Sequence, residues 1–157
     1  AKGKIKSATA IEVQPAFADL IERNAKLNGF ADSITPLCAN VKDLRPEDIG
    51  GEVGLVISNP PYITGQEMKE LPPSVADFEP HIALYGGEDG LDFYRAIAEN
   101  YTSALKPGGY LCLEFGMGQG DDVCRILAEH GYTILERSKD YNDRERAVLA
   151  QYGRKEA

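Results

Sequence analysis

Runs of apolar residues alternate with amphipathic stretches along most of the chain. "SATAIEV" (7–13) reads as a strand, and "PAFADLIERNAKLNG" (15–29) as a helix. Proline opens that helix and Gly29 lies just past its end, the usual asymmetry of helix termini. Phe17, Leu20, Ile21 and Leu27 recur at helical spacing and predict its apolar face. "SITPLCA" (33–39) is a weaker strand, and "EVGLVIS" (52–58) a stronger one that stops at Asn59. A proline-rich loop occupies 60–88, followed by a helix predicted over 90–106 that ends at "PGG". Strand "YLCLEF" (110–115), a helix over 121–130 and two closing strands, 132–138 and 145–152, complete the pattern.

Strand–helix alternation of this kind predicts an α/β fold built on a mostly parallel, doubly wound sheet. Ligands of such sheets lie beyond the carboxyl ends of the strands. That rule directs attention to Glu12, to Ala39-Asn40, to Ser58-Asn59 and to Glu114-Phe115-Gly116. The absence of any repeat or linker over 157 residues predicts one domain.

Composition narrows the chemistry. The formal net charge is −8, and the densest basic cluster, "NDRERAVLAQYGRK", is interleaved with acids. No basic stripe for direct nucleic-acid binding is visible. No apolar run approaches the roughly 20 residues of a membrane helix. The three cysteines form no C-x-x-C pair. Cys38 and Cys112 lie in apolar runs and read as buried structural thiols, which fits a reducing cytoplasm. His81 and His130 stand in separate contexts, so no metal site is expected.

The segment richest in chemistry is "LVISNPPYI" (55–63). Its prolines stiffen the turn after the strand and remove two N–H donors, leaving carbonyls to accept hydrogen bonds. The Asn59 amide oxygen and the Pro60 carbonyl together suit a planar –NH2 group, with the Tyr62 ring as a packing face. Holding that nitrogen favours attack by its lone pair, so position and electrostatics carry most of the catalysis.

"SNPPYI" resembles the signature of class I S-adenosylmethionine-dependent amino methyltransferases. "DFEPHIALYGGEDGLDFYRAI" (77–97), "LKPGGYLCLEFGMGQGDDV" (105–123) and "KDYNDRERAVLA" (139–150) resemble the HemK/PrmC family, which methylates the glutamine of the Gly-Gly-Gln loop in peptide-chain release factors. The similarity runs from about residue 8 to residue 151. It implies a Rossmann-like sheet with a C-terminal antiparallel hairpin, S-adenosylmethionine as cofactor and a release factor as protein substrate.

The resemblance also implies site residues. Glu12 would grip the cofactor ribose, and Asn40 and Val41 would flank its adenine. Asn40 departs from the Asp common at that position, yet its oxygen can still accept a hydrogen bond; it is also a residue that turns favour. Asn59, Pro60, Pro61 and Tyr62 would hold the glutamine amide, with Asn59 also facing the cofactor. Glu79, in the loop 77–80, would touch the protein substrate. The rival readings are an RNA or DNA amino methyltransferase using the same "NPPY", and a noncatalytic fragment.

The family's glycine-rich cofactor loop should precede Glu12, where this chain has "AKGKIKSATAI". "EFGMGQG" (114–120) follows "NPPY" instead, while Glu12 and "CANV" keep their ordinary upstream order. It is therefore read as the end of a later strand and not as the cofactor loop. The expectation is an N-terminally truncated catalytic domain lacking its first strand, with the slot between the Glu12 strand and the "LVIS" strand unfilled or closed by their pairing.

Overall fold

The computed structural model describes residues 6–49 and 51–153. In chain order the elements are β1 (Ala8–Glu12), α1 (Pro15–Leu27), β2 (Ile34–Cys38) and β3 (Val53–Ser58). Two short helices follow, α2 (Pro73–Ala76) and α3 (His81–Leu84), then α4 (Asp92–Asn100) and β4 (Leu105–Glu114). α5 (Gly120–Glu129), β5 (Tyr132–Lys139) and β6 (Glu145–Tyr152) complete the order. None of the described helices is long and apolar enough to cross a membrane.

The strands form two sheets. β1 pairs in parallel with β2, aligning Glu12 with Cys38. The second sheet has the order β3-β4-β6-β5. β3 and β4 are parallel, with Ser58 opposite Leu113, and β6 is antiparallel to both β4 and β5. The expected parallel pairs and closing hairpin are thus present. Among the described residues β1 and β3 are not paired with each other.

The core lies under the larger sheet. Tyr94, Ile97, Leu111, Leu113, Phe115, Val123, Leu127 and Val148 are fully buried where α4 and α5 cover β4 and β6. The smaller sheet joins this core through Ile11, Leu37, Ala39 and Val41, which pack against it. Two hydrogen bonds tie the loop after β2 to the end of α4: Tyr101 Oη donates to the Val41 carbonyl (3.3 Å) and Asn100 Nδ2 to the Lys42 carbonyl (2.8 Å). Burial pushes the Tyr101 phenol up to about 12.

Several expectations need correction. α1 buries Ala18 and Ala25 and leaves Phe17, Leu20 and Leu27 exposed, Leu27 at 81%. A two-stranded sheet is too narrow to cover a wide apolar stripe, so only the small residues facing it are enclosed. β3 shows the same deficit, with Leu55 exposed and Ile57 at 72%. Cys38 is exposed and Cys112 half-buried, against the expectation of buried thiols. The helix predicted over 90–106 spans Asp92–Asn100 alone. Its last turn gives way because residues from Leu105 are already extended: β4 begins there, and the Val53 N–H bonds the Ala104 carbonyl.

Candidate functional site

Two groups of predicted site residues stand at strand ends, one on each sheet. In the first, Glu12 closes β1 and is half-buried; its Oε1 accepts the Gln14 N–H at 2.8 Å. The Ala39 N–H donates to the Glu12 carbonyl (2.9 Å), which carries the β1–β2 pairing one residue beyond the strands, up to Asn40. Asn40 is half-buried, and its Oδ1 accepts the Lys42 N–H (3.1 Å). This is the local turn that Asn side chains form readily. Val41 packs on the core, and Lys42 Nζ lies 4.8 Å above the centre of the Phe93 ring.

The second group follows β3. Asn59 is exposed, Pro60 is buried, and Pro61 and Tyr62 are half-buried. Tyr62 packs against the core. The backbone is anchored from Tyr62 onward. The Tyr62 carbonyl accepts Gln119 Nε2 (3.0 Å), Ile63 N–H donates to the Leu84 carbonyl (3.0 Å), and Gly86 N–H donates to the Ile63 carbonyl (2.9 Å). Among the described residues, no donor engages the carbonyl of Pro60 or Pro61. The turn is thus fixed at its far end, while its first carbonyls keep their acceptor capacity.

The wall behind this turn is made of glycines. A Cβ on Gly86 would stand 2.7 Å from the Pro61 carbonyl oxygen and from Tyr62 Cα. One on Gly116 would stand 2.9 Å from Tyr62 Cδ2, so the ring lies directly on the Gly116 backbone. Gly90, with φ +74°, would bring a Cβ into contact with the Tyr62 carbonyl oxygen. "YGGEDG" and "EFGMGQG" therefore supply close approach to the Pro61–Tyr62 backbone, which any side chain there would block.

The acidic turn 88–89 is braced separately. Tyr85 Oη donates to Glu88 Oε1 (2.9 Å). Asp89 Oδ1 accepts the Leu91 N–H (3.1 Å), and both Asp89 and Asp92 pair with Arg95. Below the turn, Tyr94 Oη donates to the Glu114 carbonyl (3.1 Å). Burial drives the Tyr94 phenol far above its ordinary range, with Tyr62 and Glu114 adding to the rise. It remains a neutral donor.

The structure places Glu12 at the end of β1 and Asn40 two residues past the end of the adjacent β2, and Asn59, Pro60, Pro61 and Tyr62 on one turn. It leaves the two groups on separate sheets, with β1 and β3 not paired to each other among the described residues. Glu79 is exposed in the loop after α2, where its N–H donates to the Val75 carbonyl (2.9 Å), and its neighbour Phe78 is 83% exposed. A groove of ≈ 470 Å³ lies elsewhere, between α1 and β2, lined by Ala18, Glu22, Ala25 and Pro36 among others. It contains none of the predicted site residues. Sequence reasoning missed Gln119 and the glycine wall; the signal available was two dense glycine clusters, one leading into α4 and the other into α5. Among the described residues, no cluster of His, Cys, Asp or Glu is arranged to hold a metal ion.

No family model matches the chain. Solved structures define the fold. A methyltransferase from Pyrococcus furiosus superposes with a TM-score of 0.67 at 17% identity, over 94% of this chain and 63% of that one. The N-methyltransferase NodS from Bradyrhizobium japonicum, in complex with S-adenosyl-L-homocysteine, gives 0.57 at 15% identity, over 94% and 67%. The fold is that of the Rossmann-like class I methyltransferases.

Sequence similarity is more specific. The release factor glutamine methyltransferase of Clostridium acetobutylicum is 44% identical over 109 residues, 69% of this chain and 38% of the relative. Those of Cereibacter sphaeroides and Geobacter sulfurreducens are 38% and 34% identical over 142 and 144 residues, or 90% and 91% of this chain. Over most of its length the chain is similar to these release factor glutamine methyltransferases. It spans 38% to 50% of the length of these three relatives.

Proposed function

We propose that this chain carries the catalytic turn for methylating the side-chain nitrogen of glutamine in the Gly-Gly-Gln loop of a release factor, acting in the cytoplasm. The observation that carries the reading is the turn itself. Asn59 is exposed just past the end of a parallel strand, and among the described residues no donor claims the Pro60 carbonyl, in a chain similar to relatives named for this activity. The Asn59 amide oxygen and the Pro60 carbonyl each accept one N–H of the substrate carboxamide, and the Tyr62 ring flanks its plane. These bonds hold the nitrogen lone pair toward the methyl donor, so the acceleration comes from positioning.

The acceptor set beside β1 and β2 fits the adenosine part of S-adenosylmethionine. The Glu12 carboxylate has four lone-pair positions and gives one to Gln14, leaving capacity for ribose hydroxyls. Asn40 Oδ1 gives one lone pair to Lys42 and can accept an adenine amine with the other. Val41 supplies an apolar flank. When bound, S-adenosylmethionine supplies a sulfonium methyl group, whose S–C bond breaks as the N–C bond forms. The proton lost from the substituted nitrogen passes to solvent, and no buried base is required of the chain. Glu79 and Phe78, exposed on the loop after α2, offer contact to the protein substrate.

Tritiated methyl transfer from S-adenosylmethionine, run side by side on a release factor, tRNA and duplex DNA, tests the assignment. Label on the release factor alone is expected; label on either nucleic acid contradicts it and favours the amino methyltransferases of nucleic acids.

A further inference from the structure

Gln119 reaches three segments with one side chain. Its Oε1 accepts the Gly116 N–H at 2.9 Å, which folds the "GMGQ" turn onto itself. Its Nε2 donates to the Tyr62 carbonyl at 3.0 Å and to the Gly90 carbonyl at 3.4 Å. The residues joined lie 57 and 29 positions away in the chain. The surrounding space is cut to this side chain: a Cβ on Gly90 would lie 2.5 Å from Nε2, and one on Gly116 would lie 2.7 Å from Oε1. The carboxamide is half-buried and all three of its bonds go to backbone, so it acts as a cross-link and not as a surface contact.

We propose that Gln119 is a positioning residue, which locks the Asn59–Tyr62 turn against the Gly90 and Gly116 backbones and thereby fixes the acceptor carbonyl of Pro60. Its grip on Tyr62 lies two residues past Pro60, on the stiff side of a Pro-Pro step that transmits orientation with little slack. Both ends of the amide are needed. An acceptor alone serves Gly116, and a donor alone serves Tyr62 and Gly90. This role rests on the assignment of the turn as the holder of the acceptor nitrogen.

Gln119→Met removes both polar ends at similar length. Gln119→Glu keeps an acceptor for Gly116 but sets a carboxylate against two carbonyl oxygens. Gln151→Ala is the matched control, since Gln151 Nε2 makes the same kind of bond, 2.9 Å to the Gly108 carbonyl, at the other end of β4. Amide hydrogen exchange on the full chain reads the lock directly. In both Gln119 variants the Ile63 and Gly86 amides exchange at least about tenfold faster, while the Leu111 and Val148 amides keep their rates. Gln151→Ala leaves Ile63 and Gly86 unchanged. If Gln119→Met is unstable, Gln119→Glu decides alone. Unchanged exchange at Ile63 and Gly86, or an equal rise at Leu111 and Val148, overturns the proposal.

Methyl transfer to a Gly-Gly-Gln peptide gives the second readout. kcat falls by about tenfold to a hundredfold, and KM for S-adenosylmethionine holds. A rise in KM for S-adenosylmethionine with kcat unchanged overturns the positioning role. A wild-type chain that transfers no methyl group to any acceptor refutes the assigned reaction, and the exchange data then decide the lock independently.

Discussion

Replacing Gly90 by alanine puts the glycine wall to a quantitative test. Gly90 has φ +74°, and its Cβ would meet the Tyr62 carbonyl oxygen, Gln119 Nε2 at 2.5 Å and Thr64 Cγ2 at 3.2 Å. The left-handed conformation alone costs alanine about 1–2 kcal/mol. Forcing a methyl group against fixed backbone adds about 1–3 kcal/mol. Displacing Gln119 Nε2 forfeits a hydrogen bond worth about 1 kcal/mol. The sum is about 3–6 kcal/mol, a large part of the roughly 5–15 kcal/mol that holds an average domain folded. Gly29 is the internal control: its φ is +76°, and nothing lies within 4 Å of its Cβ position. Gly29→Ala pays the conformational cost alone, about 1–2 kcal/mol. Urea unfolding followed by circular dichroism compares the two. With a slope of about 2 kcal/mol per molar urea, the Gly90→Ala midpoint falls roughly 1–2 M further than that of Gly29→Ala. Equal midpoints for the two variants would refute close approach as the function of Gly90.

Other consequences follow from the same geometry. The raised Tyr101 phenol gives stability that is complete below pH ~10 and is lost as pH rises toward about 12, because the unfolded chain then releases a proton that the folded chain keeps. Tyr101→Phe should make the alkaline fall of the urea midpoint shallower; an unaltered fall contradicts this. Asp140 accepts N–H bonds from Arg144 and Asn142 and pairs with Arg146, which holds its carboxyl below the usual range. Its contribution is present above the ordinary carboxylate pKa and is lost as pH falls through the depressed one, so Asp140→Asn should flatten the acid limb of the stability curve. S-adenosylmethionine should bind more weakly than low-micromolar by calorimetry, since the residues proposed to hold it follow β1, β2 and β3, strands divided between two sheets that do not pair with each other; low-micromolar affinity would contradict that.

How far the sequence reveals this molecule depends on what each signal encodes. Period and length located every strand, because alternation and β-branched runs are local properties. Sheet division was legible only as an alternative, since it depends on which edges find partners. The α1 stripe of Phe17, Leu20 and Leu27 was legible, but its cover was not, and those residues stand exposed. The turn at Asn59–Tyr62 was legible because proline chemistry is written in the residues themselves. Gln119 was not: its importance lies in carbonyls 57 and 29 positions away, and a glutamine at a helix start carries no mark of such contacts. The end of α4 at Asn100 was misplaced because β4 claims the chain from Leu105, a tertiary preference that helix propensity does not register.

Mass spectrometry that locates the transferred methyl group on a release factor tests the central claim most directly. With saturating S-adenosylmethionine, the label should lie on the side-chain nitrogen of the glutamine in Gly-Gly-Gln, and Asn59→Ala should abolish it while leaving the fold intact by circular dichroism. Methyl on any other residue, or labelling of that glutamine undiminished by Asn59→Ala, would contradict the account.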